Sequence, residues 1–244
     1  DDDEVVTVPF FDLRGDRTLS GTYFYVENDE GPEAIANSDA HEFLYETDDS
    51  HFDEGMVYYH LSRIAEFFRN LGYTNHIDVM PVHVHVPDPD SGSPDYDNAY
   101  YSPRENAMYF GHGDVLNDLA WEAAVIYHEY THAVVEAMQP LMVTHEASAL
   151  HEGYADYFAC SLTDDPEIGE FVVAPMGEEQ LLAIEHVVAA LPQQVAGPAT
   201  EIRRHERIEG PVGHEDRSGA VRPFAGAHTF LKTYHQIGST GSAC

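Results

Sequence analysis

Ala123-Ala124-Val125-Ile126-Tyr127-His128-Glu129-Tyr130-Thr131-His132-Ala133-Val134-Val135 is an apolar helical run with three polar side chains set into its middle. His128 and His132 are four residues apart, so both imidazoles leave one face of a helix and can grip one ion. Glu129 is one step round the helix, within reach of a water on that ion. Burying three such groups in an apolar helix is costly unless something binds them. Neutral imidazoles suit zinc, and a catalytic zinc takes three protein ligands and keeps a position open for water. A third ligand should therefore follow. His151-Glu152-Gly153-Tyr154-Ala155-Asp156 lies on the next helix, with Glu152 20 residues past His132. Asp156 is one turn beyond Glu152 on the same face, well placed to hold a histidine's other nitrogen and fix its tautomer.

With these residues the chain resembles the thermolysin-like zinc metallopeptidases, whose pattern is HExxH, a gap, a glutamate, and an aspartate four further on. Glu146 to Glu152 runs ungapped against that pattern. Asn98-Ala99-Tyr100-Tyr101, beginning 30 residues before His128, is similar to the family's Asn-Ala-Phe-Trp edge strand. The resemblance is good from Asp97 to Phe158 and weak elsewhere. It implies that His128, His132 and Glu152 hold zinc, that Glu129 is the general base, and that Asp156 supports His128. It implies that the strand at Asn98 and Ala99 pairs with an extended polypeptide substrate. It also implies an arginine and a histidine on the oxyanion. Arg203 is preferred over Arg204 for the first, and His214 over His205 and His228 for the second. The implied activity is endopeptidase hydrolysis through a zinc-activated water.

Two departures matter. Val143 stands where the family commonly has a tyrosine donor, and only 92 residues follow Glu152. They keep open a second reading, a catalytically weak or silent domain that binds zinc or peptide. The expected fold is α+β with two lobes: a sheet-rich N-terminal lobe over residues 1–138, ending in the zinc helix, and a shortened helical lobe over 139–244.

Composition narrows the partners. The chain has 244 residues, with 44 Asp+Glu against 11 Lys+Arg and a net charge of −33. A phosphate backbone or an anionic membrane would be repelled, so neither nucleic acid nor membrane is expected as a partner. Hydrophobic residues make up 43%, enough for a real core in a monomer. The only lysine is Lys232. Short carboxylates in place of lysines suit a surface working in concentrated salt, where the Debye length is about 3 Å at ~1 M. We read this as salt adaptation; an ordinary acidic secreted protein is the plainer alternative. Asp164, Asp165, Glu167 and Glu170 fall where the family often binds structural calcium, and a solvated acidic loop is the other reading. The chain opens Asp1-Asp2-Asp3-Glu4 without a signal-like segment. That fits a cytosolic protein or the mature part of a processed one; with the family's habit of secretion, a salt-rich extracellular setting is expected. Cys160 reads as a buried free thiol, and Cys244 is the last residue.

Along the chain, Val5–Phe11, Gly21–Val26, Ile77–Val86, Asn98–Tyr101 and Asn106–Gly111 read as strands. His83 and His85 flank Val84 and read as one polar strand face. Val57, Leu61, Ile64, Phe68 and Leu71 make one apolar face of a helix over Gly55–Leu71, closed by Gly72. A long helix is expected from Asp114 to Met138. Further helices are expected over Ala147–Leu162, Glu178–Leu191 and Phe224–Ile237.

Overall fold

A computed structural model describes residues 7–37, 42–74, 79–141 and 144–176. The helices expected at Glu178–Leu191 and Phe224–Ile237, and Val143, Arg203, His205, His214, His228 and Cys244, lie outside the described residues. Among the described residues the architecture is α+β: a four-stranded sheet with helices packed against it.

Strand β1 (Phe24–Asn28) and strand β2 (Met80–Val84) each bury alternate residues, with Phe24, Val26 and Asn28 facing in on one and Met80, Val82 and Val84 on the other. Period-two burial is what a half-covered sheet requires. Strands β3 (Ala99–Ser102) and β4 (Ala107–Phe110) form a hairpin whose turn holds Asn106 at φ +49°. The sheet order is β1-β2-β4-β3. β1, β2 and β4 run parallel, and β3 pairs antiparallel with β4. A parallel β1–β2 pair needs a crossover, which helix α1 (His51–Asn70) supplies. Its buried face carries Val57, Tyr58, Leu61, Ile64, Ala65 and Phe68. Gly72, at φ +95°, ends the helix in the left-handed region that glycine enters freely.

Helix α2 (Ala123–Met138) is buried on every side from Ala124 to Val134, His128, Glu129 and His132 included. It packs on α1, on helix α3 (His145–Thr163) and on β3. A helix apolar all round belongs in the middle of a protein. The Thr144 hydroxyl caps α3, accepting from the Ala147 N–H. A four-residue helix α4 (Glu170–Val173) follows.

Three local expectations are corrected. Residues 7–11 form no strand: Pro9 has no N–H for a ladder, and Asp12 turns the chain at φ +66°. The strand expected from Gly21 begins only at Phe24, because the Asp12 carboxylate takes the N–H and hydroxyl of Thr22. The long helix does not begin at Asp114. One Asp97 carboxylate accepts from the N–H groups of Asp114, Val115 and Leu116, and Asp118 caps a short 3-10 helix at Leu119–Trp121. Glu122 is then extended, so α2 starts at Ala123. The decisive partner, Asp97, is remote in sequence, which is why periodicity missed it.

Candidate metal centre

Helix geometry brings His128 and His132 together, and α3 supplies the third donor. Glu152 Oε2 lies 3.3 Å from His128 Nε2 and 3.5 Å from His132 Nε2. His128 and His132 are almost wholly buried, and Glu152 Oε2 makes no hydrogen bond despite its burial. Three buried donors thus converge without satisfying one another. A tetrahedral zinc with bonds of about 2.0–2.2 Å needs donors about 3.3–3.6 Å apart, so the residues fit the ion. On the far side of His128, Nδ1 lies 3.0 Å from Asp156 Oδ1.

Electrostatics describe a cluster that wants positive charge. Burial alone would push His128 down, but contacts with Asp156 and Glu152 raise its pKa to about 10. Burial, helped by the charge on His128, lowers His132. Burial would raise Glu152, yet the two imidazoles hold it well below the usual carboxylate range.

Glu129 is buried beside this group, its Oε2 accepting from the Tyr101 N–H at 2.9 Å. That bond reveals which way β3 faces. Asn98 C=O accepts from the Gly111 N–H on the β4 side. In an antiparallel ladder, N–H and C=O of one residue share a side, and sides alternate along the strand. Tyr101, and by the same parity Ala99, therefore turn their backbone groups to the outer edge, toward Glu129. Asn98 instead faces inward, with its side-chain amide donating to the Tyr96 hydroxyl. Of the two residues expected to meet substrate, Ala99 is the one whose backbone groups turn away from β4.

Sequence reasoning named His151 without giving it a part. Its ring is fully buried and stacks on His132, with centroids 4.5 Å apart and planes 4° apart. Burial and the neighbouring His132 hold its pKa down at about 4. Its position beside Glu152 was the available signal. Cys160 is a buried free thiol, pushed up to about 11 by burial. Asp165, Glu167 and Glu170 converge on the surface, and the adjoining Glu167 raises Glu170 to about 7.

Comparison with known proteins gives the family. The catalytic-domain model of the thermolysin metallopeptidases matches residues 15–136, half of the chain, and the chain belongs to that family. Its members are zinc-dependent metallopeptidases. Bacillolysin of Brevibacillus brevis is 30% identical over 121 residues, which are 48% of this chain and 22% of that protein. The chain thus spans about a fifth of that relative's length. A solved structure, the precursor of protealysin, a metalloproteinase from Serratia proteamaculans, aligns at 20% identity with a TM-score of 0.46. It covers 66% of this chain and 47% of its own.

Proposed function

We propose that this chain is a zinc-dependent endopeptidase in which His128, His132 and Glu152 hold the metal. The observation that carries the reading is the convergence of these three donors next to Glu129 and an outward-facing strand edge. When bound, the zinc polarises water and the scissile carbonyl as a Lewis acid. Ala99 aligns an extended substrate by strand addition along β3. Glu129, held by the Tyr101 N–H, accepts a proton from the attacking water and delivers it to the leaving amine. Asp156 holds His128 Nδ1 and so leaves Nε2 for the metal. Arg203 and His214 are assigned to the oxyanion on the family resemblance.

Several finer parts of the reading stand beside it. The two-lobe division at 138/139, a monomeric state and calcium at Asp165, Glu167 and Glu170 rest on the resemblance; for calcium, the convergence of those carboxylates is added support. Secretion into a salt-rich setting rests on family habit and on a charge of −33 with a single lysine. No helix among the described residues is long and apolar enough to cross a membrane.

The test is hydrolysis of casein and of an internally quenched peptide, before chelation, after it, and after zinc is returned. Activity that vanishes and is restored supports the proposal. Full zinc binding with no hydrolysis of either substrate sinks it in favour of the silent zinc- or peptide-binding domain.

A further inference from the structure

We propose that Asp53, His85, His112 and Asp118 form a second metal site, built for zinc or a similar first-row divalent ion. One donor atom from each residue lies within 4.8 Å of the others. The four come from separate segments meeting at the carboxyl ends of the parallel strands. His85 follows β2, His112 follows β4, Asp53 is in the first turn of α1, and Asp118 caps the 3-10 helix before α2. Asp53 and His85 are each 3% exposed. The His112 side chain is 54% exposed, which gives an ion a way in.

The hydrogen bonds around His85 fix its tautomer. Asn28 Nδ2 donates to Glu54 Oε1, and Asn28 Oδ1 accepts from the N–H groups of Glu30 and Gly31. The Asn28 atom 3.2 Å from His85 Nδ1 is therefore an acceptor, so Nδ1 carries the proton. In the neutral ring Nε2 is then a bare lone pair, and it faces Asp53 Oδ2 at 2.5 Å. Two acceptors at that distance in a buried place need positive charge between them. A proton serves when no metal is bound.

The second carboxylate makes the same demand. Asp118 Oδ2 is buried and has no hydrogen bond; its near neighbour, His112 Nδ1, sits at 2.6 Å without hydrogen-bond alignment. The other atom of each buried ligand is held from behind. Asp53 Oδ1 accepts from the Trp121 indole N–H, Asp118 Oδ1 accepts from the Ala120 N–H at 2.7 Å, and His85 Nδ1 is held by Asn28. One donor per side chain is left aimed at a common point, the arrangement that outer partners give metal ligands. The backbone supports it too. His85 stands at φ +55°, unusual for a residue other than glycine, and this turns it inward out of the strand's alternation.

Two imidazoles with two carboxylates suit zinc and its neighbours, whereas calcium and magnesium take oxygen ligands. An ion entering past His112 would displace the proton between His85 and Asp53 to solvent. The pair would then widen to the donor spacing of about 3.3–3.6 Å that a tetrahedral ion requires.

The test counts zinc on the folded chain by mass spectrometry after saturation with zinc chloride and dialysis, with circular dichroism as the folding control. Wild type should hold two equivalents. His132→Ala should keep one, bound by the tetrad. His112→Ala and Asp118→Asn should hold the tetrad ion at least about 10-fold more weakly in chelator competition, while the HExxH site keeps its own. His112 is exposed, so its removal leaves the core intact. A single equivalent in wild type that only His132→Ala removes overturns the proposal. So does a second equivalent held with unchanged affinity in both tetrad variants. A single equivalent lost through His112→Ala but kept in His132→Ala would instead sink the HExxH assignment and leave the tetrad standing.

Discussion

Among the described residues the chain carries two histidine–carboxylate clusters, and they are built in opposite ways. In His128–His132–Glu152 two donors share one helix and the third comes from its neighbour α3, with separations of 3.3 and 3.5 Å. In Asp53–His85–His112–Asp118 every donor comes from a different segment, and the contacts are 2.5 and 2.6 Å. The first keeps its donors at the spacing of an ion with Glu129 beside them. The second has donors closed on one another and backed by Asn28, Trp121 and a helix cap. Side chains packed by other side chains in this way suit a structural ion, whereas the first cluster adjoins Glu129 and the unpaired edge of β3 and suits chemistry.

The largest effect that tests this contrast is on catalysis. Glu129→Gln should reduce peptide hydrolysis by about 10²–10⁴-fold or more, since one group serves as both proton acceptor and donor. Its zinc content should be unchanged, because Glu129 is not a ligand. The tetrad variant His112→Ala should retain wild-type turnover per bound zinc at the HExxH site. Steady-state kinetics with metal assay on both proteins checks this; comparable losses in the two would erase the division of labour.

Next come the supporting residues. Asp156→Asn should weaken zinc at the HExxH site by about 10–100-fold, and Asn28→Ala should do the same at the tetrad alone. Competitive chelator titration reads both. Cross-effects, with Asp156→Asn loosening the tetrad ion, would mean one coupled centre rather than two.

Acid acts on the packing that both sites share. His60 on α1 bonds the Tyr127 hydroxyl on α2 at 2.8 Å, joining the helix that carries Asp53 to the one that carries His128. Burial, with Arg63 nearby, lowers its pKa from 6.5 to about 4. The unfolded chain therefore takes up this proton first as pH falls. Stability should drop between about pH 6.5 and pH 4, by about 3 kcal/mol from this residue, and flatten below. His60→Gln should remove that part of the slope in urea titrations followed by circular dichroism.

Salt should discriminate least strongly. Exposed carboxylates repel one another, so the melting temperature should rise by several degrees between low and molar sodium chloride at fixed calcium. Zinc affinity at the two clusters, whose donors are mostly buried, should change much less. A melting temperature that is flat or falls would remove the salt-adapted reading.

By itself the sequence determined what repeats within a few residues. The helical period put His128 and His132 on one face, set the buried stripe of α1 from Val57 to Phe68, and let Gly72 mark its end. Strand alternation located β2, β3 and β4 to within a few residues, because covalent geometry alone decides which way successive side chains point. Glu152 and Asp156 were legible through their resemblance to a family pattern. Tertiary structure decided what depends on partners far along the chain. Asp97 holds the N–H groups of 114–116 out of the helix that periodicity extended to them. Tyr101 meets Glu129, and that contact assigns the open edge of β3 to Ala99 rather than Asn98. His83 and His85 read as one polar strand face. At φ +55°, however, the chain turns His85 into the core, where Asn28, Asp53, His112 and Asp118 meet it from four other segments. Short-range dihedral preferences carry no information about such meetings, which are fixed only when the sheet and helices pack.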